Sequence, residues 1–334
     1  MTRSAIRLAA LLTLAGVPAS ASASAQTPPV TIPAPTPPPA LVPKSGHATL
    51  STSGGVATRR VRYAAHGQRI RVTGRVRPFV AGQIAVLELR KGKRLLGRKR
   101  AKIKPARKGG VAVFRVKLRA RGKLALRLLH RATPRQKAFR SRLGRVHSGI
   151  FRVGVGAKGT SVLVLQRGLL RMGFAVPLSG RYEDSTRRAV TAYQKTNNFS
   201  RSGYASPRIY RLVFERRGAF KPRDRSKGRH VEFDWSRQVL ALIFNGRAKR
   251  VYHASSGTSA TPTVFGTFSF YRKEPGTNHL GMVQSNYFIR GYAIHGYPSV
   301  PNYPASHGCI RVPIPNATQI DEQIKLGEKI HVYR

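Results

Sequence analysis

The chain is short of three things. Among 334 residues there is one cysteine and there are only 11 Asp and Glu. No apolar run reaches the ~20 residues a membrane-spanning helix needs. A single cysteine excludes an intramolecular disulfide and any cysteine-rich zinc module. Against 62 Lys and Arg, the few acids leave a formal net charge of +51. That balance excludes an acidic buffer protein and points to polyanionic surroundings. What is present is a 41% hydrophobic share, too high for a wholly disordered chain. The length accommodates two or three domains at about 100–200 residues each.

The N-terminus sets the expected compartment. Arg3 and Arg7 precede an apolar stretch from Leu8 to Val17, and Ala23-Ser24-Ala25 then offers small residues before Gln26. This is the pattern of a secretory signal peptide over 1–25. The apolar stretch is too short for a stable membrane span, and no cysteine follows it to carry a lipid anchor. Export argues against nucleic acid as the polyanion and leaves cell-wall polymers. Residues 26–44 (QTPPVTIPAPTPPPALVP and Lys44) form a Pro-rich linker, favouring extended polyproline conformations and a semi-rigid spacer.

Three further segments differ in periodicity. Residues 45–153 alternate apolar and polar in Arg69-Ile70-Arg71-Val72, Ile84 to Leu89, Val111 to Leu118 and Leu124 to Leu128, with turn signals such as Arg77-Pro78 and Lys108-Gly109-Gly110 between them. Short strands at this spacing predict a β-sandwich-like domain. It weakly resembles the immunoglobulin-like modules of secreted bacterial proteins. Its outward positions are nearly all Lys or Arg, and Glu88 is the single acid before Glu183. That suits either adhesion to anionic wall polymers or a solvated spacer.

Residues 155–217 change to a helical period. Val162, Leu165, Leu169, Leu170 and Met172 share one face, and Gly173 stands where a C-terminal cap belongs. Asp184 or Ser185 can cap a second helix carrying Ala189, Val190 and Tyr193, and Ser206-Pro207 opens a third. The wording GTSVLVLQRGLLRMGF…GRYEDSTRRAVTAYQKTNNF resembles the three-helix peptidoglycan-binding module. Residues 228–334 return to strands: His230 to Asp234, Gln238 to Phe244 and Arg247 to Ala254 with a tight Asn245-Gly246 turn, and Lys329 to Tyr333.

Chemistry gathers in AIHGYPSVPNYPASHGCIRVP. Cys309 follows Ser306-His307-Gly308, and His295-Gly296 lies fourteen positions upstream of the cysteine. A thiol attacks a carbonyl well only as thiolate, and a nearby imidazole can activate it. Gly308 admits a close backbone approach, and N–H groups at Gly308 and Cys309 could receive an oxyanion. Three other readings compete. Cys309 could be inert and buried, Ser306 could be the nucleophile, or His295, His307 and Cys309 could hold zinc. The last has a spacing that matches no common zinc pattern.

Ser306-His307-Gly308-Cys309-Ile310-Arg311 with Ile294-His295-Gly296 resembles the signature of the L,D-transpeptidases (YkuD-type domain), and Thr261 to Phe268 resembles that family's Thr-Pro…Gly-x-Phe stretch. The resemblance covers roughly the last 105 residues. It implies a multidomain, mainly β protein ending in a mostly-β catalytic domain. It also implies cysteine acyl transfer between peptidoglycan stem peptides, without metal or organic cofactor. Cys309 would be the nucleophile and His295 the base, with the Gly296 carbonyl orienting the imidazole. Ser306, His307, Gly308 and Arg311 would support them. A stem-peptide carboxypeptidase or hydrolase would share these residues, and a non-catalytic wall-binding protein would tolerate their loss.

Overall fold

In residues 69–77 every second side chain is Ile, Val or Gly between arginines and a threonine, so a strand there has one dry face and one wet one. The computed structural model, which describes residues 41–334, places β4 on this segment with strictly alternating burial. The expected signal peptide 1–25 and most of the Pro-rich linker lie outside the described residues. Ahead of β4 (Arg69–Arg77) come β1 (His47–Ser53), β2 (Val56–Ala57) and β3 (Arg62–Ala65). After it come β5 (Ile84–Lys91), β6 (Arg94–Lys102), β7 (Lys104–Ala106), β8 (Gly109–Lys117), β9 (Gly122–His130), β10 (Phe139–Arg140) and β11 (Gly144–Gly149).

One sheet runs β1-β4-β8-β7, and a second runs β2-β3-β11-β9-β5-β6 with β10 on β9. Ile70, Val72 and Val76 of the first sheet share a core with Leu87, Leu124, Leu126 and Leu128 of the second. Glu88 is buried between Arg90 (3.1 Å) and Arg98 (2.9 Å). Burial works to raise its pKa, yet the hydrogen bonds from Arg98 and Arg90 hold it below the usual carboxylate range.

Helices follow: α1 (Thr160–Leu170), α2 (Asp184–Thr196) and α3 (Pro207–Phe214). The α1 terminus closes as the glycine position predicts. Gly173 adopts φ 93°, its N–H reaches Leu170 O, and Phe174 N–H reaches Leu169 O, the paired bonds of a Schellman cap. Ser206 caps α3 by accepting from Ile209 N–H, with Pro207 behind it. The expected cap on α2 differs. Asp184 already lies inside the first turn, Glu183 is the cap residue, and the Glu183 carbonyl receives the N–H groups of Thr186 and Arg187. The helices do not close a core alone. Their apolar cluster includes Val56 and Ala65 from the first β region and Val239, Ala241, Ile243 and Val251 from the last. Residues 42–334 accordingly form one compact unit.

The C-terminal region contains β12 (Arg229–Asp234), β13 (Val239–Phe244), β14 (Arg247–His253), β15 (Gly266–Ser269), β16 (Arg272–Thr277), β17 (Val283–Ile289), β18 (Tyr292–Tyr297), β19 (Ile310–Pro313), α4 (Ile314–Gln323) and β20 (Lys329–Tyr333). Asn245 and Gly246 both take positive φ (49° and 68°), as a tight two-residue hairpin requires. A five-stranded sheet has the order β14-β13-β12-β20-β15, and a four-stranded one β16-β17-β18-β19. Phe233, Leu240 and Val332 of one meet Ile294, Ile310 and Val312 of the other, with Ala317 and Ile320 of α4 in the same core.

Candidate active site

The site is built on the parallel pair β18–β19. Their register sets Ile294 against Ile310 and His295 against Arg311. Cys309 therefore emerges beside Ala293, and the Ala293 N–H donates to its Sγ at 3.4 Å. Side chains two apart on a strand share a face, so Cys309, His295, Arg311 and Tyr297 line one face. The thiol of Cys309 is directed at Gly291 O (3.5 Å) and is half-buried.

His295 is 3% exposed, and its Nδ1 lies 3.0 Å from Gly296 O. A carbonyl only accepts, so Nδ1 carries the proton and Nε2 keeps its lone pair. Burial depresses the imidazole pKa to about 4; the Gly296 bond opposes this and Arg311 adds to it. Burial pushes the Cys309 thiol above its usual range, while the Ala293 N–H and Arg311 work the other way. At neutral pH the resting groups are thus a neutral imidazole and a protonated thiol. The Arg311 guanidinium stacks 4.0 Å over the Tyr297 ring and donates to Ala305 O at 3.1 Å.

Two glycines are needed by their surroundings. Gly308 has φ 116°, and a Cβ there would stand 2.5 Å from the Tyr292 ring. A Cβ on Gly296 would stand 2.7 Å from Ala317 Cβ and 3.2 Å from Ile314 Cα, so α4 packs directly on the backbone that orients His295.

The turn before Cys309 differs from the expectation in one respect. The Gly308 N–H already donates to Ser306 Oγ at 3.1 Å, so it is not a free oxyanion donor. The Ser306 hydroxyl itself donates to Cys309 O at 2.5 Å and is buried, so it braces the turn and is not presented as a nucleophile. His307 is exposed, whereas His295 is buried.

Several residues hold this turn, and of these only Thr261 and Thr263 lie in the Thr-Pro stretch that the sequence singled out. Thr258 N–H and Thr261 Oγ1 both donate to Ser306 O at 3.0 Å, and Thr263 Oγ1 donates to Gly308 O at 2.6 Å. Ser255 Oγ donates to Tyr303 O at 2.6 Å, and the Ala305 N–H to Ser256 O at 2.7 Å. Thr258, Ser255 and Ser256 carry no sequence signal beyond a Ser/Thr cluster. Lys195 of α2 was not singled out either. It is wholly buried, and its Nζ meets Gln238 O (3.3 Å), Ala254 O (2.8 Å) and His253 Nδ1 (2.7 Å). His253 Nε2 then donates to Val300 O at 2.8 Å, on the loop between His295 and Cys309. Burial lowers Lys195 to about 6, with Arg201 adding to it, although its partners all accept and favour the ammonium. Beside Tyr297 the same loop borders a cleft of about 460 Å³ walled by Arg187, Arg188 and Arg201.

The chain resembles known proteins in two stretches. The model of the L,D-transpeptidase catalytic domain (YkuD) matches residues 228–332, and that of a peptidoglycan binding domain matches residues 158–212. The crystal structure of an L,D-transpeptidase fragment from Xylanimonas cellulosilytica is 31% identical, covers 55% of this chain and 98% of its own, and superposes with a TM-score of 0.50. An L,D-transpeptidase from Stackebrandtia nassauensis is 17% identical over 55% of this chain and 95% of its own, with a TM-score of 0.34. One from Mycobacterium smegmatis is 13% identical over 86% of this chain and 99% of its own, with a TM-score of 0.27. No curated protein matches the chain.

Proposed function

The chain belongs to the L,D-transpeptidase family of peptidoglycan-modifying enzymes, and from that premise we propose that it cross-links stem peptides by acyl transfer through Cys309. The observation that carries this reading is the Nδ1 bond from His295 to the Gly296 carbonyl, on the face that also presents Cys309. It leaves Nε2 as the base. Because both groups rest neutral, proton transfer accompanies attack and needs no standing ion pair.

Nε2 takes the thiol proton as Sγ adds to the donor carbonyl. The Cys309 N–H receives the developing oxyanion, since the Gly308 N–H is engaged. The carbon–nitrogen bond then breaks, and His295 returns the proton to the departing amine. This leaves a thioester, which an acceptor amine from a neighbouring stem attacks to form the cross-link. Ser306 fixes the turn, and Arg311 supplies positive charge beside the pair. Arg187, Arg188 and Arg201 give stem carboxylates a cationic wall.

In the same reading residues 1–25 direct export and 26–44 span wall material. The immunoglobulin-like sandwich at 45–153 attaches to anionic polymers through its basic surface. The three-helix module at 155–217 holds glycan near the catalytic domain at 228–334, raising its effective concentration. The test is incubation of the purified enzyme with sacculi, followed by mass spectrometry of the muropeptides. Cross-linked dimers absent from a Cys309→Ala control support the proposal. Trimmed monomers alone make the enzyme a hydrolase, and an unchanged profile makes it a wall-binding protein.

A further inference from the structure

In a chain with 11 carboxylates against 62 cationic side chains, two carboxylates and two imidazoles meet at one place on the sheet that does not carry Cys309. The parallel register of β12 and β20 sets His331 opposite Glu232, with His230 two positions earlier on β12, so all three emerge on one face. The imidazoles of His230 and His331 meet edge to face with centroids 5.1 Å apart. Asp224 arrives from the segment joining the helices to β12. One ligand atom each from Asp224, His230 and His331 lies within 4.8 Å of the others, and His331 Nε2 is 3.5 Å from Asp224 Oδ2.

The surroundings hold these atoms in place. His331 Nδ1 pairs with Thr267 Oγ1 at 2.9 Å, which fixes the ring with Nε2 toward Asp224. Such a partner on the far ring nitrogen is what orients metal-ligating histidines. Glu232 is fully buried and takes the N–H groups of Arg223 (3.0 Å) and Asp224 (2.9 Å) and the Tyr333 hydroxyl (2.7 Å), so it pins the backbone that presents Asp224. Glu232 Oε1 also lies 3.3 Å from His230 Nε2, the bond an ion would replace, while its other three partners remain. Tetrahedral ligands at zinc bond lengths sit about 3.3–3.4 Å apart. One edge is already at 3.5 Å. Asp224 and His331, the partly exposed members, have the freedom to close the rest.

We propose that Asp224, His230 and His331 bind one zinc-type divalent cation that fastens the segment before β12 onto the β12–β20 pair. Two imidazoles and one carboxylate suit zinc over calcium or magnesium, and a water completes the set. The ion is structural, and the inference stands whether or not Cys309 performs acyl transfer.

The test uses the full chain stripped with chelator. Zinc is titrated by calorimetry and cobalt by visible absorption, and trypsin cleavage is mapped at Arg223, Arg225 and Lys227. The expected result is one equivalent per chain, cobalt bands without a thiolate charge-transfer feature, and slower cleavage of that segment once metal is bound. His331→Ala and Asp224→Asn, both at partly exposed positions, each weaken zinc binding by more than a hundredfold. Thr267→Val weakens it by roughly tenfold, and Cys309→Ser leaves it unchanged. The proposal is overturned by the absence of saturable uptake in the native chain, or by uptake kept in both ligand variants. A thiolate band that vanishes in Cys309→Ser, or cleavage indifferent to metal, overturns it as well.

Discussion

Strands β4 and β13 both belong to two-sheet regions, but they are buried in opposite ways. In β4 every second residue is wet, with Arg69, Arg71, Arg75 and Arg77 outward. In β13 Val239 to Ile243 are all buried. The cause lies in what covers them. Leu240 and Leu242 face the core of the C-terminal region, whereas Val239, Ala241 and Ile243 face the helices. The first region keeps a free charged face. The last is covered on both sides and places its polar groups where each must find a partner. Burial there is what depresses His295 to about 4, raises Cys309 and ties Lys195 to three acceptors. Buried polar groups gather in the region covered on both sides, and the free charges stay on the face that water reaches.

The largest test of this contrast is covalent. Carbapenem-type lactams should give one adduct on Cys309, read by intact-protein mass spectrometry. Cys309→Ala should lower the acylation rate by roughly three orders of magnitude or more. Glu88→Gln, in the first region, should leave the adduct unchanged; loss of acylation there would break the separation drawn here.

Next in size, His295→Ala should slow acylation by about 10²–10⁴-fold. With the imidazole at about 4, the acid limb of the native rate should fall near pH 4, below the ordinary histidine range. A midpoint near 6.5 would place the base elsewhere. Linkage gives the same group a stability signature. A folded-state pKa below the unfolded one means stability present above about 6.5 and lost as the pH falls toward 4.

A third comparison uses glycines. Gly296→Ala forces a Cβ to 2.7 Å from Ala317 and should cost about 1–3 kcal/mol in denaturant unfolding. Gly97→Ala in β6, where nothing lies within 4 Å, should stay within about 0.5 kcal/mol. Equal costs would mean that α4 is not rigidly seated. The smallest expected effect is ionic. Retention of the protein on sacculi should weaken as salt rises, since exposed charges are screened over about 10 Å at 0.1 M. Turnover of a soluble peptide should change little under the same conditions.

From the amino-acid sequence alone one could read the alternation of β4, the cap at Gly173, the Asn245-Gly246 turn and the segment from His295 to Arg311. Each is a local pattern, set by the period of a strand or helix or by the few residues that tolerate positive φ. What surrounds Cys309 was decided at longer range. Ser306 braces the turn and engages the Gly308 N–H within two or three residues, but the clasp of Thr263 on Gly308 comes from a loop more than forty residues upstream. Lys195 reads in sequence as one more exposed cation on a polar helix. It is buried because α2 docks on β13 and β14, where Gln238, His253 and Ala254 supply its acceptors. Periodicity reports which face of an element is dry. Only packing brings distant chain segments close enough to fill that face with the hydrogen bonds a buried polar group requires.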